Sequence, residues 1–300
     1  SVQITTLPNK LRVATESTPG HFTSVGLYID AGSRYETPLT SGVSHFIDRM
    51  AFKSTTSRTG DDMTQAIHGL GCQIFASSSR ESIMYQSTSF SQAAENAISL
   101  IAESALRPAF FEEEVAEQRE AARYEIREIN NKPELILPEI LHEVAYGGQG
   151  LGNPLLCPED RIDSIDGPTM HKFLGAWFRP ERMVIAGAGV PHEQLVEWAD
   201  KYFSPLVPTA PLPDPVSARQ PLSRSTVQNI PPHLLPPSSP ASFSLYKSLS
   251  RAASSYLYPP SEGPESIPLS QYAGGHRFIY QPESEFNHLY VAFEGVGIHD

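Results

Sequence analysis

The sequence predicts an α+β fold, and three observations carry that reading. Short runs of alternating apolar and polar residues come in pairs near the start of the chain, as in β-hairpins. Longer stretches with apolar residues at helical spacing follow them. The two kinds of segment are mixed, without the strict strand–helix–strand alternation of a parallel sheet. The composition allows a real core, with 40% hydrophobic and 19% charged residues.

Taken in order, "VQITTLPNKLRVATES" (2–17) reads as two strands around a turn at Pro8-Asn9-Lys10. "TSVGLYIDAGSRYE" (23–36) is a further strand closing at Ala31-Gly32. "SGVSHFIDRMAFKST" (41–55) opens a helix. "GDDMTQAIHGLGC" (60–72) is a second helix, with Asp61 or Asp62 as its cap and Gly71 as its stop. "QIFASSSRESIMYQSTSF" (73–90) alternates as a second hairpin. Helices follow at 91–106, ended by Pro108, and at 111–131, ended by Pro133. The acidic triplet Glu112–Glu114 suits the positive end of that second helix, which is a plainer reading than a docking patch. Segments 133–147, 164–178 and 191–203 are helical in pattern, and "RMVIAGAGV" (182–190) is a buried strand.

The character changes near residue 206. Fourteen Pro and fourteen Ser fall between Leu206 and Ser270, too much for a segment that must bury apolar surface to order itself. Three parts are therefore expected: a domain over 1–205, a disordered insert or linker over 206–270, and the beginning of a truncated second domain over 271–300. Within the last part, the strand-like "HLYVAFEGVG" resembles the earlier "SVGLYIDAGS", which hints at an internal repeat.

The net charge of −12 argues against a nucleic-acid partner, since phosphate neutralisation needs an excess of Lys and Arg. No apolar stretch reaches the roughly 20 residues of a membrane span. Two cysteines make neither a disulfide framework nor a zinc cluster. No targeting segment is visible ahead of the strand-like start at Ser1.

The candidate chemistry lies in 41–55. His45, Asp48 and Arg49 stand at i, i+3 and i+4, on one helix face. An inverted-motif zinc peptidase needs His, Glu and His at those positions. One imidazole is present, the carboxylate is a carbon short, and the last place holds a guanidinium. A lone His on an amphipathic helix is more often a buried, hydrogen-bonded side chain than a ligand, so wider context must decide.

That context resembles the pitrilysin/insulinase superfamily of inverted-motif zinc peptidases, and within it the alpha-subunit branch of the mitochondrial processing peptidases. "LPNKLRVATE", "GLYIDAGSRYE", "GVSHFIDRMAFKST", "YEIREINNKPE", "PERMVIAGAGVPHEQLV" and "YAGGHRFIY…YVAFEG" carry the resemblance in family order, over about 1–205 and 271–300. It implies a metalloprotease-like α/β roll: a mixed, largely antiparallel sheet flanked by helices, with the start of a second similar module. In active members a distal Glu on a later helix completes the zinc site at a set spacing from the second His. The same spacing counted on from Arg49 lands on Glu125, in "RYEIRE". The resemblance thus implies a degenerate metal pocket of His45, Asp48, Arg49 and Glu125. Arginine stays protonated and offers zinc no lone pair, and Asp48 falls short of a Glu by roughly 1.5 Å. Arg49 is expected to bind Glu125 through its planar fork, in place of two carboxylates facing each other.

Function follows as an expectation. The chain should hold no zinc and not hydrolyse peptides itself. The resemblance implies a recognition subunit in the mitochondrial matrix, paired with a zinc-bearing catalytic beta subunit. Together they would remove basic amphipathic presequences from imported precursors. The alternatives are a structural core subunit of the respiratory bc1 complex and an independently active peptidase. The family's glycine-rich substrate loop should follow the strand near Asp300, and none is seen in the sequence. That leaves a fragment of a longer subunit, or a truncated product, as the two accounts of the chain's end.

Overall fold

Six strands and seven α-helices make up the computed structural model, which describes residues 2–18, 20–71, 73–208, 270–280 and 286–295. The strands are β1 (Val2–Thr6), β2 (Arg12–Glu16), β3 (Phe22–Ile29), β4 (Gln73–Ser78), β5 (Ile83–Phe90) and β6 (Met183–Ala188). The helices are α1 (Val43–Arg49), α2 (Gly60–Leu70), α3 (Ala94–Leu106), α4 (Glu112–Asn130), α5 (Pro133–Tyr146), α6 (Gly167–Trp177) and α7 (His192–Phe203). The mixed sheet and its flanking helices are the α+β arrangement that the sequence predicts.

The first hairpin closes where the turn chemistry places it, and the second closes between Ser78 and Ile83. In the first, the Leu7 N–H donates to Leu11 O and the Lys10 N–H to Leu7 O, both at 2.8 Å. Asn9 adds its side chain, accepting from the Leu11 N–H at 3.2 Å. The sheet order is β1-β2-β6-β3-β5-β4. β6 joins the first hairpin to β3, pairing parallel with β2 and antiparallel with β3, although most of the helices lie between it and them in sequence. It suits a central place because its inward positions Met183 and Ile185 are fully buried.

Alternation then sets the core. Val13, Val25, Leu27, Ile29, Ile83 and Tyr85 point inward, against Phe46 and Ile47 of α1, Ile98 and Ile101 of α3, and Leu195 and Phe203 of α7. Each such side chain stabilises the fold by about 1.5–3 kcal/mol. Arg182, immediately before β6, is 2% exposed. Its guanidinium lies against the rings of both Tyr35 and Trp177, 4.6 and 4.7 Å from their centroids, and the two rings touch each other, centroid to centroid at 4.8 Å. Its Nε donates to Asp30 O at 2.7 Å, and the Asp30 carboxylate is 3.2 Å from Nη2. That contact ties the residue before β6 to the residue after β3.

Three expectations change. The cap of α2 is Thr59, whose extended backbone lets Oγ1 accept the Asp62 N–H at 3.2 Å, while Gly71 ends the helix in the left-handed region as expected. The helix opened in 41–55 stops at Arg49, because Phe52 turns the chain with φ 59°. Finally, 286–295 form neither helix nor strand, although "HLYVAFEGVG" alternates like one. A strand needs a ladder partner for its main-chain groups, and the described residues offer it none. Residues 209–269, which hold nearly all of the Pro/Ser-rich segment, lie outside the described residues.

Candidate functional site

The site is built on α1, a helix of seven residues whose N-cap is Gly42 and so has no side chain to satisfy the first N–H groups. A buried carboxylate from outside the helix takes that role. Glu36 accepts from the Gly42 and Ser44 N–H groups, each at 2.7 Å, and from Ser44 Oγ at 2.5 Å. Burial pushes its carboxyl up to about 7, and these donors pull in the opposite direction. Gly42 has φ 90°, and a Cβ there would lie 2.3 Å from Cys157 Sγ. Only glycine lets the Cys157 loop close over the start of this helix.

That loop fixes the histidine. The Cys157 main-chain N–H donates to His45 Nδ1 at 3.1 Å, so Nδ1 presents its lone pair and the proton sits on Nε2. His45 Nε2 then donates to Glu125 Oε2 at 3.2 Å. Arg49 Nη1, one turn further along α1, donates to the same oxygen. Glu125 arrives from α4, which is anchored in the core by Val115, Ala122 and Ile126. The hydrogen bond from His45 and the charge of Arg49 hold the Glu125 carboxyl below its ordinary range, against the opposing effect of partial burial.

Of the four residues singled out in the sequence, three therefore meet and one does not. Asp48 turns toward β4, where Oδ2 accepts from the Ser78 N–H at 3.0 Å and from Ser78 Oγ at 3.3 Å. The facing pair of carboxylates is thus absent. An N–H at the end of an edge strand needs an acceptor, and Asp48 supplies it. Nor does Arg49 bind Glu125 through a two-pronged fork. His45 and Arg49 share one oxygen, and Arg49 Nε is buried with no hydrogen-bond partner among the described residues.

This set of donors does not fit a zinc ion. His45 and Glu125 already face each other, the third place holds a cation without a lone pair, and a catalytic zinc keeps three protein ligands. Among the described residues no three His, Cys, Asp or Glu side chains are grouped as a metal site. What the arrangement does is fasten α4 to α1 through a charge-assisted contact. Sequence reasoning missed Glu36, Ser78 and the Cys157 N–H. The first two looked like ordinary polar residues. The third acts through its main chain from 112 residues away, which no side-chain spacing could signal.

Comparisons with known proteins bear on both ends of the chain. Residues 12–159 match the family described as "Insulinase (Peptidase family M16)", and 164–300 match "Peptidase M16 inactive domain". The mitochondrial-processing peptidase subunit alpha of Neurospora crassa is 50% identical over 200 residues, covering 67% of this chain and 35% of that protein. The human subunit alpha is 37% identical over 206 residues, covering 67% and 39%. A probable subunit alpha-1 of Arabidopsis thaliana is 38% identical over 205 residues, covering 68% and 41%. This chain thus spans 35–41% of the length of these relatives. Among solved structures, a protease from Helicobacter pylori shares the fold with a TM-score of 0.65 at 21% identity, over 71% of this chain and 52% of that one.

Proposed function

Because this chain belongs to peptidase family M16, we propose that it serves as the non-catalytic, substrate-recognition alpha subunit of a mitochondrial processing peptidase. In this reading it assists the removal of N-terminal presequences from precursors imported into the matrix. The observation that carries the reading is the Arg49–Glu125 contact, with His45 on the same oxygen, where an active family member needs an open metal site. The chain itself holds no zinc, and catalysis belongs to a zinc-bearing beta subunit. The relatives reported above all carry the processing-peptidase name, which favours this reading over a structural role in the bc1 complex. Among the described residues no helix is long and apolar enough to cross a membrane.

The recognised peptides are basic and amphipathic, and a net charge of −12 attracts them electrostatically. Reconstitution tests the proposal. The subunit is mixed with a zinc-loaded beta partner, and cleavage of a presequence peptide is followed. Cleavage that needs both chains supports it. Cleavage by this chain alone, or a beta partner equally active without it, contradicts it.

A further inference from the structure

The His45 contact leads outward to a part of the chain that neither the motif nor the proposed function includes. We propose that Ser270 is a positioning residue for this site, acting through the 150–157 loop to hold the Cys157 N–H on His45 and thereby set which ring nitrogen of His45 carries the proton. The inference holds whether or not the chain is a recognition subunit.

The path consists of contacts between successive groups. Ser270 Oγ accepts from the Leu151 N–H at 2.9 Å. Beside it, Gly150 has φ 58°, and a Cβ there would stand 2.4 Å from Ser270 Oγ, so this glycine is what admits Ser270. The next residues secure the seat, because Ala273 and Gly274 both donate their N–H groups to Ala145 O, at 2.7 and 3.3 Å. Arg277 pairs with Glu143 at 2.8 Å. From Leu151 the loop runs back to α1. Leu151 O accepts from His142 Nδ1 at 3.2 Å. Asn153 Nδ2 donates to Ser33 O at 2.8 Å and to Glu36 O at 3.1 Å. The Leu155 N–H donates to Glu139 Oε2 at 3.0 Å, and Glu139 is itself paired with Arg80 at 2.8 Å. The loop ends with the Cys157 N–H on His45 Nδ1.

The physical reason for coupling is the shortness of the span. The stretch from Leu151 to Cys157 is fastened at Leu151, Asn153, Leu155 and Cys157 by side-chain hydrogen bonds and not by a ladder, and the proposal requires that these open as one cooperative unit. If Ser270 lets go, Leu151 loses an acceptor and the Cys157 N–H loses its register. His45 Nδ1 then has no donor to keep its lone pair in place, and the ring is free to adopt either tautomer.

The test uses the full chain labelled with 15N-histidine, with the ring resonances of His45 assigned by their loss in His45→Gln. In wild type, Nδ1 should show the shift of an unprotonated nitrogen and Nε2 that of a protonated one. Ser270→Ala should move both shifts toward each other and speed exchange of the Leu151 and Cys157 amides together by roughly fivefold, the factor for one lost hydrogen bond. Ser270→Thr, which keeps the hydroxyl, should restore the wild-type shifts. A protonated Nδ1 in wild type overturns the proposal. So do unchanged His45 shifts in Ser270→Ala when the Leu151 amide has become fast. Should Ser270→Ala not fold, native-state exchange on wild type decides: equal protection of Leu151 and Cys157 supports one cooperative unit, and unequal protection refutes it.

Discussion

Replacing Gly42 by alanine adds one methyl group at the tightest point of the site, and its cost can be worked out from the structure. The backbone there has φ 90°, which an L-residue adopts at a cost of about 1 kcal/mol. The new Cβ would lie 2.3 Å from Cys157 Sγ, 2.6 Å from its Cβ and 2.8 Å from its Cα. Main chain cannot swing aside as a flexible side-chain end can, so the loop must move, at about 1–3 kcal/mol for an overpacked interior. Moving it stretches the Cys157 N–H to His45 Nδ1 bond, worth about 1 kcal/mol more. Gly42→Ala should therefore destabilise the domain by about 3–5 kcal/mol, read as a lower midpoint in urea at unchanged slope. Cys157→Gly in the same chain removes the two closest contacts and should recover part of the loss. A Gly42→Ala chain within about 0.5 kcal/mol of wild type would refute the reasoning, because surface-like tolerance has that size.

Further consequences can be measured independently. Arg49→Ala should cost only about 1 kcal/mol in urea unfolding, since Glu125 is 39% exposed and solvent screens the pair. Arg182→Met should cost about 1.5–3 kcal/mol, the worth of a hydrogen bond from a charged donor, because the Asp30 carbonyl loses its cation; Trp177 fluorescence is the local probe. The pH dependence follows from Glu36, whose pKa stands at about 7 in the folded chain against an ordinary 4.5. The folded state then binds the proton more tightly, so this stabilisation is complete below 4.5 and lost as pH rises through about 7. Glu36→Gln should flatten the stability–pH slope across that window, whatever its constant offset. Arg49→His combined with Asp48→Glu should create zinc uptake where wild type shows none, as measured by metal content after dialysis.

Much of the fold was legible because local signals and packing agree. Pro108 and Pro133 end pattern and helix alike, Gly71 is the stop it was expected to be, and the first hairpin closes at its turn residues. Sheet order was not legible. Nothing local in "RMVIAGAGV" says that β6 lies between β2 and β3, since pairing between segments so distant in sequence is decided by tertiary packing. "HLYVAFEGVG" shows the limit of alternation, which marks the ability to be a strand but not the presence of a partner. At the site, the register counted from Arg49 to Glu125 brought the two together as the family resemblance implied. Asp48 escaped the same logic, because a helix face is wide enough for an i+3 side chain to bend toward a neighbouring strand.

Zinc binding by the wild-type chain is the most direct test of the account. Titrated calorimetrically after removal of metal with a chelator, the chain should take up no tightly held zinc, and Glu125→Gln should change nothing. One zinc per chain, bound tightly and lost in both Glu125→Gln and His45→Gln, would contradict the account. It would mean that the Arg49 cation does not keep a metal from these two ligands.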